Sequence, residues 1–280
     1  MSIKSQLKEL MEKNELRTQK RLGQCFLIDE NAIQKIASFA LANGEEQIIE
    51  VGPGLGPLTA SLISQAGPSP ERKVIAIEVD KGLVNILEKE FAGKVQVIHA
   101  DATEFFFNDI GKGPFALVGN LPYSVTTPLL LSFLRQKAFL GRTTVMIQKE
   151  VADRLLSKPQ QKTYGSLTVL FQLHAEIDRI IDVPPECFWP KPKVWSSVIH
   201  IDWNKSLPIA VENELFFEKV VRAAFSQRRK TLRNSLLSAF EKEQVRRVEE
   251  KCSISLARRA ETLTLQEFGT LVDAFWALQV

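Results

Sequence analysis

The chain has 280 residues, 45% of them hydrophobic and 25% charged, with a formal net charge of +3. These proportions suit a soluble globular protein of one large domain or two modest ones and exclude a mainly disordered or collagen-like chain. No apolar run approaches the roughly 18 residues that span a bilayer, the polar N-terminus lacks the apolar core of a secretory signal, and so small a net charge does not by itself imply a nucleic-acid partner.

Residues 1–21 read as an N-terminal basic arm, with Lys4, Lys8, Lys13, Arg17, Lys20 and Arg21 interleaved with Glu9, Glu12 and Glu15. From about residue 47 to 150, short β-branched runs alternate with helical stretches. The runs are Gln47–Val51, Lys73–Val79, Val95–Ala100, Phe115–Val118 and Thr143–Ile147; Leu58–Gln65, Lys81–Phe91 and Thr127–Gln136 read as helices between them. Continuous apolar strands alternating with helices predict βαβ units and a parallel sheet buried on both faces. Ala175–Val183 and Val194–Trp203, joined by a proline-rich turn, predict an antiparallel hairpin at one sheet edge. From Leu207 onward the spacing is helical, with apolar faces in Leu215–Phe225, Leu232–Phe240 and Leu265–Leu278. The expected organisation is the arm, an α/β domain over 22–204 and a small all-α domain over 205–280. Cys25, Cys187 and Cys252 stand far apart, with no CxxC pair and no histidine cluster near them. That predicts reduced thiols in a cytosolic protein, with neither a disulfide framework nor a structural metal.

The first strand runs into Glu50-Val-Gly52-Pro53-Gly54-Leu-Gly56. Glycines there let the chain turn sharply and let a ligand approach the backbone, although an ordinary strand-to-helix turn would use them too. The second strand ends in Glu78-Val79, 26 positions after Gly52, where a carboxylate can accept hydrogen bonds from ribose hydroxyls. The third ends in Asp101-Ala102, an acid that fits an adenine amino group. Three consecutive strand ends carrying Gly, Glu and Asp predict an adenosine-containing ligand. NAD stays open, but the G-x-G-x-G spacing and the two late antiparallel strands suit a methyltransferase sheet better.

The fourth strand leads into Asn120-Leu121-Pro122-Tyr123. An exocyclic adenine amine is a poor nucleophile because its lone pair is delocalised into the ring. The Asn120 side-chain oxygen and the Leu121 carbonyl can accept its two N–H bonds and return electron density to nitrogen. Pro122 stiffens the loop, and Tyr123 can stack on a base that has left its own stack. A plain proline turn with Tyr123 in the core is the competing reading.

In these stretches the sequence resembles the bacterial 16S rRNA adenine N6,N6-dimethyltransferases (the KsgA/RsmA family), from about Arg21 to Phe275. The resemblance rests on Leu22–Leu27, Glu50–Thr59, Glu78–Asp80, Asp101-Ala102 and Asn120–Tyr123. It continues through Gln148–Val151, Tyr164-Gly165, Pro184–Val198, Phe225–Leu236 and Arg259–Glu261. It implies a Rossmann-like class I methyltransferase sheet and S-adenosylmethionine as the methyl donor. The ribose would lie on Glu78 with Val79 beside it, the adenine near Asp101 and Ala102, and the amino-acid part near Gly52 and Asn120, with Gly54 and Gly56 completing the loop. It also implies that Cys25 and Leu27 touch this ligand; the family has Asn at position 25, and a thiol is a weaker hydrogen-bonding partner than an amide. Phe188 would lie across the target base from Tyr123, against the alternative of a core phenylalanine. The implied substrate is a pair of adjacent adenosines in the hairpin near the 3′ end of 16S rRNA, within a small-ribosomal-subunit particle, methylated by a cytoplasmic monomer. A 23S rRNA or DNA adenine specificity, or a role as an assembly factor with secondary catalysis, would use the same residues in part.

Arg222, Arg228, Arg229, Lys230 and Arg233 form the candidate RNA-binding cluster, with no acid between Arg222 and Arg233. Guanidinium groups so gathered suit phosphates, though a solvated face is the usual fate of a charge run. None of His99, His174 and His200 falls in the motifs. A strongly electrophilic donor asks for positioning and lone-pair activation without a dedicated general base.

Overall fold

The computed structural model describes residues 2–16, 25–42, 47–67, 73–204 and 206–278. Arg17, Lys20, Arg21, the Leu22–Gln24 start of the first motif, and Lys205 lie outside the described residues. In chain order the first elements are α1 (Ile3–Lys13), β1 (Phe26–Leu27), α2 (Glu30–Leu41), β2 (Gln47–Val51), α3 (Pro57–Ala66), β3 (Lys73–Glu78), α4 (Lys81–Glu90) and β4 (Val95–His99). Then come β5 (Phe115–Asn120), α5 (Thr126–Arg135), β6 (Leu140–Gln148), α6 (Lys149–Leu155), α7 (Ser166–His174), β7 (Glu176–Val183), β8 (Phe188–Trp189) and β9 (Ser196–Asp202). The last are α8 (Glu214–Ala224), α9 (Leu232–Leu236), α10 (Lys242–Lys251) and α11 (Leu265–Trp276).

The chain divides into two compact units, one made of residues 1–152 and 177–204 and the other of 153–176 and 205–280. In the first unit the sheet order is β4-β3-β2-β5-β6-β9-β7. The strands from β4 to β6 are parallel, and β9 runs antiparallel to β6, with Ser196 opposite Gln148 and Asp202 opposite Arg142. The two late strands are thus interleaved: β9, the last strand in the chain, lies between β6 and β7. Ile48, Ile49, Ile75, Ile77, Leu117 and Val145 are buried, each stabilising the fold by about 1.5–3 kcal/mol against exposure. The chain passes from β2 to β3 and β4 on one side and then crosses back to β5 on the other. This reversal opens a crevice at the carboxyl edge between β2 and β5, where open α/β sheets bind ligands.

Ile3–Lys13 of the basic arm form the helix α1. Ser2 caps α1, and Leu7 and Met11, four residues apart on one face, pack with Phe26, Leu55, Leu83 and Ile86. Lys4, Lys8 and Lys13 are exposed, with the Lys8 ammonium over the Trp189 ring at 5.8 Å from its centroid. β1 and β8 form a separate two-stranded ribbon, with Phe26 opposite Trp189 and Leu27 opposite Phe188.

The second unit differs from the expected 205–280 domain by taking in Asp153–Glu176. The reason is packing: α7 is apolar almost all round, with Leu167, Val169, Leu170, Phe171 and Leu173 buried, and the Tyr164 hydroxyl donates to the Leu263 carbonyl at 3.0 Å. Aromatic pairs such as Phe225–Phe268 and Phe240–Phe275 fill its core.

Candidate active site

Five chain segments meet at the carboxyl edge of the sheet. Cys25 and Leu27, Gly52 and Gly54 after β2, Glu78 and Val79 at the end of β3, Asp101 and Ala102 after β4, and the Asn120–Tyr123 loop after β5 all line one cavity of about 300 Å³. Two predicted residues lie elsewhere. Gly56, at φ +85°, is the N-cap of α3; a side chain there would strike the Phe91 ring, and the residue lines a separate groove among α1, α2 and α3. Phe188 is a core side chain, 3% exposed and packed with Leu27, Ile33 and Val198, because its pairing with Leu27 in the ribbon turns it inward. In this structure it does not face the cavity.

The glycine loop is held from both sides. Gly54 has φ +61°, and a Cβ there would lie 2.9 Å from Cε1 of Phe26, so the loop needs both the left-handed backbone and the missing side chain. Gly54 N–H donates to Glu78 Oε2 at 3.2 Å, while Val79 and Asp80 N–H donate to Oε1 at 2.9 and 3.0 Å. Three of roughly four lone-pair directions of this buried carboxylate are therefore taken, leaving one on Oε2 for an incoming hydroxyl rather than two. Burial pushes its pKa up, against the pull of these bonds.

Glu50 was not singled out as a site residue, although an acid inside the apolar run QIIEV is itself a signal. It lines the cavity, is 1% exposed, and accepts a 2.6 Å bond from the Thr59 hydroxyl. Burial first, and the nearby Glu78 charge after it, push its pKa up to about 8. Because the folded value lies above the ordinary carboxyl value of 4.5, stability is complete below that value and falls as pH rises through about 8. Melting temperatures from pH 5 to 9 should show wild type losing stability against Glu50→Gln, with the gap widening up to about pH 8 and levelling off above it. Parallel profiles would mean that Glu50 is ionised throughout.

Asn120 reaches across to the first motif: its Nδ2 donates to the Cys25 carbonyl at 2.8 Å. The amide nitrogen is thereby turned toward Cys25 and the side-chain oxygen is left as an acceptor. Cys25 takes part through its backbone, and burial pushes its thiol pKa up. Leu121 N–H bonds the Met146 carbonyl at 3.0 Å, and the Thr126 hydroxyl bonds the Pro122 carbonyl at 2.9 Å, so the loop is fixed at two points. The Tyr123 hydroxyl lies 2.5 Å from that of Ser196 at the start of β9. Burial pushes the Tyr123 pKa up to about 12, which keeps the phenol neutral. Asp101 is exposed and holds its own turn, accepting from Thr103 N–H at 2.8 Å and from its hydroxyl at 2.7 Å.

In the second unit, Arg228, Arg229 and Lys230 lie on the exposed turn between α8 and α9. Arg222 is paired with Glu218 at 2.6 Å, and Arg233 with Glu249, while Arg228 donates to the Lys162 carbonyl. Two of the five candidate cations thus have carboxylate partners, one of them, Glu218, four residues back on the same helix.

A family model described as ribosomal RNA adenine dimethylase matches residues 15–275. The ribosomal RNA small subunit methyltransferase A of Desulfitobacterium hafniense is 44% identical over 259 residues, covering 91% of each chain. Its namesake in Clostridium botulinum is 42% identical over 274 residues, covering 96% of this chain and 98% of that one. Among solved structures, a dimethyladenosine transferase from Plasmodium falciparum matches with TM-score 0.72 at 22% identity, covering 91% of this chain and 99% of that one. A 23S rRNA methyltransferase, ErmE, matches with TM-score 0.65 at 23% identity, covering 89% and 99%; both share the fold.

Proposed function

The chain belongs to the ribosomal RNA adenine dimethylase family, and from that premise we propose that it methylates N6 of two adjacent adenosines in the hairpin near the 3′ end of 16S rRNA, within a small-subunit particle. S-adenosylmethionine-dependent dimethylation of rRNA adenine is the activity of this family. The small-subunit assignment draws on the names of the relatives. The observation that carries the reading is the single cavity shared by the glycine loop, Glu78, Asp101 and the Asn120–Tyr123 loop.

The residues fit the methyl donor. The cavity is at the small end of the usual range for small-molecule sites, and it combines a mainly apolar lining with the buried carboxyl groups of Glu50 and Glu78. Glu78 would take a ribose hydroxyl on its remaining lone pair, Val79 and Ala102 would flank the adenine, Asp101 would accept from its amino group, and Gly52 and Gly54 would lie along the amino-acid part. When bound, the donor supplies an electrophilic methyl group on a sulfonium. The Asn120 oxygen and Leu121 carbonyl would hold the target amine by its N–H groups, and Tyr123, locked by Ser196, would stack on the ring. A carbonyl and an amide oxygen draw on the amine without needing a titrating base, so the side chains have only to position and polarise.

Phosphate contacts would come from Arg228, Arg229 and Lys230, with Arg222 and Arg233 joining when RNA competes for their surface ion pairs, which are individually weak. Replacing Arg228 and Arg229 by alanine should lower the slope of log affinity against log salt by about 1–2, read from filter binding to small subunits. An unchanged slope would move the RNA surface elsewhere. Among the described residues no helix is long and apolar enough to cross a membrane, and a cytoplasmic monomer is part of the proposal.

The decisive experiment is transfer of label from S-adenosylmethionine to small subunits from a strain lacking the modification, with naked rRNA and large subunits alongside. N6,N6-dimethyladenosine in small subunits alone supports the proposal. Label on large subunits would point to the 23S specificity, and tight small-subunit binding without label to an assembly factor.

A further inference from the structure

Trp195 is half-exposed, at 50% of its surface, and follows Val194, exposed at 43%. The apolar pattern predicts a strand over 194–203, but β9 begins at Ser196, so neither side chain is used by the sheet. Their place is set by the register. Ser196 lies opposite Gln148, two positions beyond the Asn120–Met146 pair, and β9 runs antiparallel, so its start stands at the same carboxyl edge as the Asn120–Tyr123 loop. The Trp195 carbonyl accepts from Lys149 N–H at 2.9 Å, which pins the backbone, and the next residue holds the Tyr123 hydroxyl. The ring is thus an exposed aromatic one residue from the group that locks the proposed base platform. It is preceded by Lys191, paired with Glu186, and by the exposed Lys193.

We propose that Trp195 is a second stacking platform, taking a nucleobase next to the adenosine held by Tyr123. This rests on the rRNA methyltransferase reading above. Consecutive bases are covalently tied, so when one enters the pocket its neighbour lies against the rim. An indole offers that base a large rigid face, and every base has a π-face to match it. Lys193 supplies positive charge for the adjoining phosphate. Without a base on it, half of the ring's surface stays in water.

Binding of unmethylated small subunits is the test, read as Kd by filter binding, with methyl transfer by wild type run in parallel. Trp195→Ala should weaken binding roughly tenfold, Trp195→Phe should stay within about threefold, and Trp195→Leu should resemble alanine. S-adenosylmethionine affinity and melting temperature should not change in any of them. Tryptophan fluorescence of wild type should be quenched on binding, and Trp195→Phe should lose that quench. A Trp195→Ala enzyme within twofold of wild type overturns the proposal, as does leucine serving as well as phenylalanine, which would mean apolar contact with a ribosomal protein. If wild type binds with the quench but transfers no methyl group, the functional reading falls and the stacking contact stands.

Discussion

Alanine at position 120 is expected to slow methyl transfer by about 10²–10³-fold while leaving the affinity for small subunits nearly unchanged. The step it touches is the conversion of an amide-like exocyclic amine into a nucleophile. A fixed acceptor matters most as positive charge grows on nitrogen, so its loss acts on the transition state more than on binding. The acceptor is fixed because the other end of the same side chain donates to the Cys25 carbonyl. Aspartate would keep an oxygen toward the cleft but set a second one against that carbonyl, so it should also be slow. Single-turnover transfer on saturated enzyme reads the chemical step directly; activity within tenfold of wild type for Asn120→Ala would remove this residue from the mechanism.

The second large effect is expected at Glu78. Alanine there should weaken S-adenosylmethionine binding by at least about a hundredfold and lower stability by roughly 2–4 kcal/mol, because three backbone N–H groups lose their acceptor in a buried place. The two losses have one origin: the carboxylate ties the glycine loop to the end of β3 and presents its remaining lone pair to the ligand. Glutamine keeps one oxygen, so it should fall between. Calorimetric titration and thermal melting of the three proteins separate binding from folding, and an alanine variant that binds the donor within tenfold would refute the assignment.

The strand ends were legible because buried parallel strands are continuous apolar runs, and Gly, Glu, Asp and Asn placed at their carboxyl ends interrupt those runs. The parallel, doubly wound character of the sheet followed from alternation of strands and helices, while its strand order is read from the structure. Features made by tertiary contact were not. β1 and β8 are two residues each, too short for any period, yet their pairing buries Phe188 and carries Cys25 to Asn120. Asp153–Glu176 falls in sequence within the expected 22–204 domain, and only the partners of its apolar surface assign it to the second unit. Arg233 meets Glu249 across 16 positions, which charge counting over a short window misses. In the arm, the four-residue spacing of Leu7 and Met11 marks a helix face that its alternating lysines and glutamates mask in a reading by charge.

The interleaving of β9 has a consequence for how the molecule comes into being. Until residues 196–202 are in place, β6 offers a bare edge of unpaired amides, and β7 has no neighbour through which to join the sheet. Such an edge invites association with other chains. The strand that closes it also carries Ser196, the partner of Tyr123. During synthesis, therefore, a chain grown only through β6 has its glycine loop and β3 acid but not its locked tyrosine, and the event that protects it from aggregation is the one that completes its pocket.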